Sequence, residues 1–281
     1  MIQNTSNKKR DMVVINNDYT GDDDEDSSNV AITSERLACC EIQVPQRKNP
    51  KAKPLRFVVI SDTHLLHDMV EVHQYTGDVL IHCGDFTNKG TKAEVDTFFQ
   101  YLLDKCDGKF KYIIMIVGNH EWAPDIVVNV RFKKFFKEKK VKSSYHLLLD
   151  EHVTILDHNK EKIKIFGSRF RASWRFPPLM RDTLRKTSFQ IPKDIDILLT
   201  HFPPCKNGLD IAHNDLSRGS PQLTEMLDSE YFENLKIHCF GHNHCTRGHH
   251  YEEQTDRMFV NAASTLSKKQ KIVAKPYMFD F

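Results

Sequence analysis

Tyr112-Ile113-Ile114-Met115-Ile116-Val117-Gly118-Asn119-His120-Glu121 is an apolar run that breaks abruptly into polar residues. Six apolar residues without alternation predict a strand buried on both faces, the kind found in a sheet covered on each side. The polar residues then stand at the strand's tip, where an α/β protein places chemistry because the sheet is rigid and the loop leaves room for a ligand. Four further runs end in the same way. Arg56 to Ile60 leads into Ser61-Asp62-Thr63-His64, and Val79 to Cys83 into Gly84-Asp85. Ile195 to Thr200 delivers His201, and Ile237 to Phe240 delivers Gly241-His242-Asn243-His244. Five strand tips bearing Asp, His or Asn converge most simply on one metal site.

The rest of the chain is consistent with a mixed α/β domain. Thr91-Lys92-Ala93-Glu94 fits a capping box, and Val95, Phe98, Phe99, Leu102 and Leu103 follow at helical spacing until Asp107-Gly108. A second helix carries Phe132, Phe135 and Phe136 on one face and Lys133, Lys134 and Lys137 on the other. Val153 to Leu156 and Ile163 to Phe166 read as a hairpin, and Ser220-Pro221 as the start of another helix. Short strands are expected at 249–252, 258–260 and 277–281. Residues 1–53, with the acidic run Asp22 to Asp26, read as a disordered tail in which Leu37 to Val44 is a candidate edge strand. Residues 54–281 are expected to form a single domain.

Composition narrows the function classes. A net charge of +2 over 281 residues offers no global attraction to nucleic acid. No run reaches the ~18 uncharged apolar residues of a membrane span, and Met1 to Arg10 lacks the apolar centre of a secretory signal. Seven cysteines without C-x-x-C spacing fit a reducing compartment, so an intracellular, cytoplasmic protein is expected. Oligomeric state is not encoded in any pattern found.

In order, Asp62-x-His64, Gly84-Asp85, Gly118-Asn119-His120-Glu121, His201 and Gly241-His242-x-His244 resemble the five motifs of the calcineurin-like metallophosphoesterase superfamily. Gly167-Ser168 followed by Trp174, Thr200-His201-x-Pro203-Pro204 and Asn261-Ala262 are similar to the small metallophosphoesterase-domain-containing proteins, which resemble class III cyclic nucleotide phosphodiesterases. The resemblance implies a four-layer αββα sandwich, two mixed sheets packed face to face with helices outside. It also implies two divalent ions, Mn²⁺ or Fe²⁺ with Zn²⁺ an alternative. Asp62, His64, Asp85 and His244 would hold the first, and Asp85, Asn119, His201 and His242 the second. The expected reaction is attack of metal-bound hydroxide on a small phosphodiester.

His120 adjoins a ligand without being counted as one, and is the candidate general acid. Glu121 either orients its ring or is a surface carboxylate. Trp174, within a loop carrying Arg169, Arg171 and Arg175, and His213, after Pro203-Pro204, are candidate substrate contacts. Phe202 stands where the resembled family has glycine, and either presents a ring to a nucleobase or narrows the pocket. Cys245 stands where the resembled family usually has an acidic residue. A phosphoprotein phosphatase is the rival enzyme, disfavoured because Gly84-Asp85 is followed by Phe86-Thr87-Asn88 with no Asp-Arg-Gly. A nucleotide-binding scaffold with a vestigial site is the alternative of another class.

Overall fold

The computed structural model describes residues 12–13, 32–47, 53–121, 125–168, 191–212 and 216–281. β1 (Met12–Val13) pairs antiparallel with β2 (Ile32–Thr33), which leads into a single helical turn, α1 (Ser34–Leu37). The first large sheet then takes β3 (Cys40–Glu41), β4 (Arg56–Ile60), β5 (Val79–His82), β6 (Tyr112–Met115) and β7 (Ser144–Leu147). The second takes β8 (Glu151–Leu156), β9 (Lys162–Gly167), β10 (Ile197–Leu199), β11 (Ile237–Phe240), β12 (Gly248–Glu252) and β13 (Arg257–Asn261). A small hairpin, β14 (Thr265–Ser267) with β15 (Ile272–Val273), carries the chain back. The last strand, β16 (Tyr277–Asp280), enters the first sheet rather than extending the second, giving the orders β3-β16-β4-β5-β6-β7 and β12-β13-β11-β10-β9-β8. β4 to β7 are mutually parallel, as are β9, β10, β11 and β13, so their carboxyl ends collect the motif loops at one end of each sheet.

Strand periodicity decides the layers. Along β4, Phe57 and Val59 face an apolar layer shared with Ile165, Ile197, Leu199, Ile237 and Val260 of the second sheet. Val58 and Ile60 face the other way, against helices. Those helices are α2 (His67–Val70), α3 (Lys92–Tyr101) and α4 (Asp125–Lys137). α3 begins in the expected capping box: Thr91 Oγ1 accepts from Glu94 N at 3.3 Å and Glu94 Oε2 from Thr91 N at 3.1 Å. It buries Phe98 and Phe99, each contributing about 2–3 kcal/mol of apolar burial. On the far face of the second sheet, α5 (Pro221–Asp228) buries Leu223 and Leu227 against Phe240 and Phe259. Its N-cap is Ser220, whose Oγ accepts from Leu223 N at 3.2 Å. Helix, sheet, sheet and helix thus form the four layers.

Two features differ from the sequence-based expectation. The candidate edge strand at Leu37 to Val44 is present as β3, at the edge beside β16, but the segment read as polar tail around it buries Ile42 and Val44 in the layer between the sheets. β7 has no counterpart among the expected strands, because Ser144-Tyr145-His146-Leu147 carries too few apolar residues; it is an edge strand and needs few.

Candidate metal centre

The expected ligands sit at the carboxyl ends of β4, β5, β6, β10 and β11, or in the loop just beyond, and the two sheets aim them at one another. Among the described residues, three groups of donors come within 4.8 Å: Asp62, His64 and His244; Asp85, His201 and His242; and His64, Asp85 and His120. The two expected poles are therefore brought together, with Asp85 in more than one group. Asn119 joins the second pole, its Oδ1 lying 2.9 Å from both His201 Nε2 and His242 Nδ1. Asp62, His64, Asp85 and His242 all have backbone φ between 43° and 69°, a left-handed conformation costly for non-glycine residues and concentrated at functional sites.

Backbone carbonyls set the imidazole tautomers. His64 Nδ1 lies 3.1 Å from Thr87 O, and His201 Nδ1 lies 2.9 Å from Cys83 O. A carbonyl only accepts, so each Nδ1 carries hydrogen and each Nε2 is the ring atom turned inward. His64 Nε2 then meets His244 Nε2 at 3.3 Å, which itself lies 3.3 Å from Asp62 Oδ1. His201 Nε2 meets Asp85 Oδ2 at 3.1 Å. His242 Nε2 is buried and without a hydrogen-bond partner among the described residues. Two carboxylates and four imidazoles turned into one buried space call for positive charge. The titration of His201 shows the same demand: burial opposes its ionisation, yet the Asp85 and Asp62 carboxylates raise it to about 10. Burial lowers His242 to about 3. Asp85 is held well below the usual carboxylate range; burial works against this, and His201 outweighs it. Nitrogen and carboxylate donors of this kind fit divalent cations.

His120 differs from the ligands in exposure: 20% of its side chain is open against 2% for Asp85. Its backbone N–H donates to Asp85 Oδ1 at 2.7 Å, and its Nδ1 donates to the Asn88 carbonyl at 2.6 Å. Nε2 stands 3.9 Å from Asp85 Oδ2, facing the donor cluster.

Glu121 is neither a ring orienter nor a surface carboxylate. It is buried, and its carboxylate accepts from the N–H groups of Gly118 (2.6 Å), Asp85 (3.0 Å) and Thr87 (3.0 Å) and from Thr87 Oγ1 (2.8 Å). It clamps the β5 loop to the β6 tip, and the task of orienting the His120 ring falls to the Asn88 carbonyl. Burial and the nearby Asp85 push Glu121 up to about 7. Phe202 is buried with its ring 4.2 Å from that of His242, so it backs a candidate ligand instead of offering an open face. Trp174 and His213, with Arg169, Arg171 and Arg175, lie outside the described residues.

Two histidines outside the five motifs support the site. His82 Nδ1 accepts from Gly84 N at 3.2 Å, so Nε2 donates to Thr63 Oγ1 at 3.0 Å and staples the Asp62–His64 loop to the Gly84-Asp85 loop. His238 makes the matching bond to Thr200 Oγ1 at 2.9 Å, immediately before His201. The signal is present in the chain: a histidine inside an otherwise apolar buried strand needs a polar partner.

Residues 55–246 match the family described as calcineurin-like phosphoesterase. The chain belongs to the calcineurin-like metallophosphoesterases. Metallophosphoesterase domain-containing protein 1 of Homo sapiens is 30% identical over 228 residues, covering 74% of this chain and 65% of that protein. UPF0046 protein C25E10.12 of Caenorhabditis elegans is 31% identical over 237 residues, covering 80% of each. A protein of Emericella nidulans named probable rhamnogalacturonate lyase C is 32% identical over 206 residues, which are 70% of this chain and 18% of that one. The chain thus spans less than two thirds of the length of the fungal and human relatives. Among solved structures, TT1561 of Thermus thermophilus superposes with a TM-score of 0.50 at 13% identity, covering 75% of this metallophosphoesterase and 89% of that chain, a likeness of fold. No helix of the described residues is long and apolar enough to cross a membrane.

Proposed function

We propose that this metallophosphoesterase is a dinuclear phosphodiesterase acting on a small phosphodiester, with cyclic nucleotides the favoured class. The observation that supports this most is the sharing of Asp85 between donor groups, with His120 at the more open rim. Asp62, His64, Asp85 and His244 would hold one ion, and Asp85, Asn119, His201 and His242 the other. Mn²⁺ or Fe²⁺ suit these donors best, and Zn²⁺ is accommodated. Bound there, the ions supply Lewis-acid charge to the phosphoryl oxygens and acidify a water.

The chain's own groups do the remaining work. The Asn88 carbonyl holds the His120 ring through Nδ1–H, leaving Nε2 to deliver a proton to the departing alkoxide. Thr87 and Cys83 carbonyls keep His64 and His201 facing inward. Gly84-Asp85 leads into Phe86-Thr87-Asn88 with no Asp-Arg-Gly, which favours the diesterase over the phosphoprotein phosphatase reading. The cysteines form no disulfide, in keeping with an intracellular site of action.

The test is hydrolysis of bis(4-nitrophenyl) phosphate against 4-nitrophenyl phosphate by Mn²⁺-loaded protein, followed by a panel of cyclic nucleotides. Preference for the diester is expected. Preference for the monoester would transfer the assignment to a phosphatase, and no turnover with two ions bound would favour a nucleotide-binding scaffold.

A further inference from the structure

Asn261, the last residue of β13, is fully buried and belongs to none of the five ligand motifs. Its Nδ2 donates to Asn243 O at 2.8 Å, Thr246 O at 3.2 Å and Leu209 O at 3.2 Å, so its two hydrogens are spread over three carbonyls. Its Oδ1 accepts from Ala263 N at 3.2 Å. Those partners fix the orientation of the amide, because carbonyls only accept and a backbone N–H only donates. Asn243 caps the turn His244–Thr246, and Thr246 ends it. One side chain from another strand thus holds the backbone on both sides of His244.

The residues directly after Asn261 grip the first sheet. Ala263 forms a bridge with Ser61, Ser264 N donates to Ser61 O at 2.8 Å, and Thr265 N donates to Asp62 O at 3.1 Å. Arg247, just beyond the His244 turn, closes the connection by donating from Nη1 to Ala263 O at 3.0 Å. Residues 261–265 therefore hold the His244 turn with a side chain and the Asp62 strand tip with their backbone. Across this clasp His244 Nε2 stands 3.3 Å from Asp62 Oδ1. Asp85, Asn119 and His201, which come from other loops, receive none of the four Asn261 bonds.

We propose that Asn261 is a positioning residue that sets His244 against Asp62 and so shapes the pole made by Asp62, His64, Asp85 and His244, without touching a ligand side chain. The inference rests on the dinuclear reading given above. An amide that merely satisfied buried carbonyls would stabilise the whole chain and favour neither pole. An amide that places His244 acts on one pole and spares the other.

The experiment is Mn²⁺ titration, with metal analysis, of full-length chains reduced to a single pole. His201→Ala leaves the Asp62–His244 pole, and His244→Ala leaves the Asn119–His201 pole. Adding Asn261→Ala should weaken Mn²⁺ binding about 10–100-fold in the His201→Ala background, as loss of the support behind a ligand does. In the His244→Ala background it should change binding by no more than about twofold, the additivity of uncoupled sites. Asn261→Ser, which keeps one short donor, should show the same selectivity at smaller size, and carries the test should Asn261→Ala not fold. Leu227→Ala, a core truncation in α5, should lower the urea midpoint of unfolding and weaken neither pole selectively. Equal weakening in both backgrounds, or none in the first, overturns the role of Asn261 while two ions in the parent chain keep the dinuclear reading intact. A parent chain that takes up fewer than two Mn²⁺ ions overturns that reading and the inference with it.

Discussion

The two sheets contribute unequally to the metal centre. The first supplies both carboxylates and a dense scaffold around them: Glu121 gathers four donors from three loop residues, and His82 uses both ring nitrogens to join two ligand loops. The second supplies imidazoles with fewer hydrogen bonds to the rings themselves. His242 leans on the Phe202 ring while its Nε2 stays unpaired, and His238 binds Thr200 through Nε2 while its Nδ1 has no partner among the described residues. The carboxylate half is thus organised by hydrogen bonds that converge on its own loops. The imidazole half is tied from outside, by Asn261, whose amide nitrogen donates to Asn243 O at 2.8 Å and Thr246 O at 3.2 Å. Asp62 bridges the two: both of its oxygens accept from His242 N at 3.0 Å.

The sharpest test of this asymmetry is Asp85→Asn against His242→Ala. Asp85 serves both poles, so its loss should strip both ions and lower turnover by more than about 10²–10³-fold, whereas His242→Ala should lose one ion. Metal content per chain, measured with turnover, decides it; two ions retained in Asp85→Asn would end the bridging role. The next effect belongs to the rim of the first-sheet half. His120→Ala should cost a sugar alkoxide leaving group at least about tenfold more than a nitrophenolate, because only the former needs a proton. Equal losses at full metal occupancy would reduce His120 to a positioning residue.

Smaller effects separate scaffold from ligand. Glu121→Gln should cost about 1–3 kcal/mol in denaturant unfolding of the metal-free protein, since an amide cannot accept on both arms and strands buried N–H groups. Phe202→Ala should instead act mainly on metal affinity, by about 10–100-fold, as support behind a ligand does. If the two variants exchanged signatures, the asymmetry between halves would be wrong.

The smallest expected difference concerns the paired staples. Burial lowers both His82 and His238 to about 3, against 6.5 for an unperturbed ring. Between those values the unfolded chain binds a proton that the folded chain refuses, so stability is lost as pH falls through that window. Each histidine contributes a slope of about 1.4 kcal/mol per pH unit. His82→Gln and His238→Gln should each flatten the slope between pH 5.5 and 4.5 by that amount, read from urea unfolding, and an unchanged slope would show the rings already charged.

Deletion sets a boundary on what the site needs. Removing residues 1–31 should leave stability and turnover near their parent values, whereas removing 1–53 also deletes Ile42 and Val44 and should cost about 3–5 kcal/mol. Equal stability of the two truncations would show that β3 is dispensable.

The sequence by itself determined the strand-tip arrangement. A buried parallel strand is a local signal, an unbroken apolar run, and the polar residue after it is at the tip in any register; Asp62, Asp85, Asn119, His201 and His242 were legible for that reason. The motif glycines were legible as glycines, but their reason is long-range, since a Cβ at Gly118 or Gly241 would run into the Asp85 or Asp62 carboxylate. Tertiary structure alone decided the rest. Glu121 reads as one more polar residue after a strand until Asp85 and Thr87, more than thirty positions earlier, are folded onto it. β16 gives no sign in its own residues that it crosses to the first sheet and lies antiparallel to β4, between β3 and β4. Local periodicity reports which faces are apolar, but pairing partners are set by long-range packing, which no window of the chain contains.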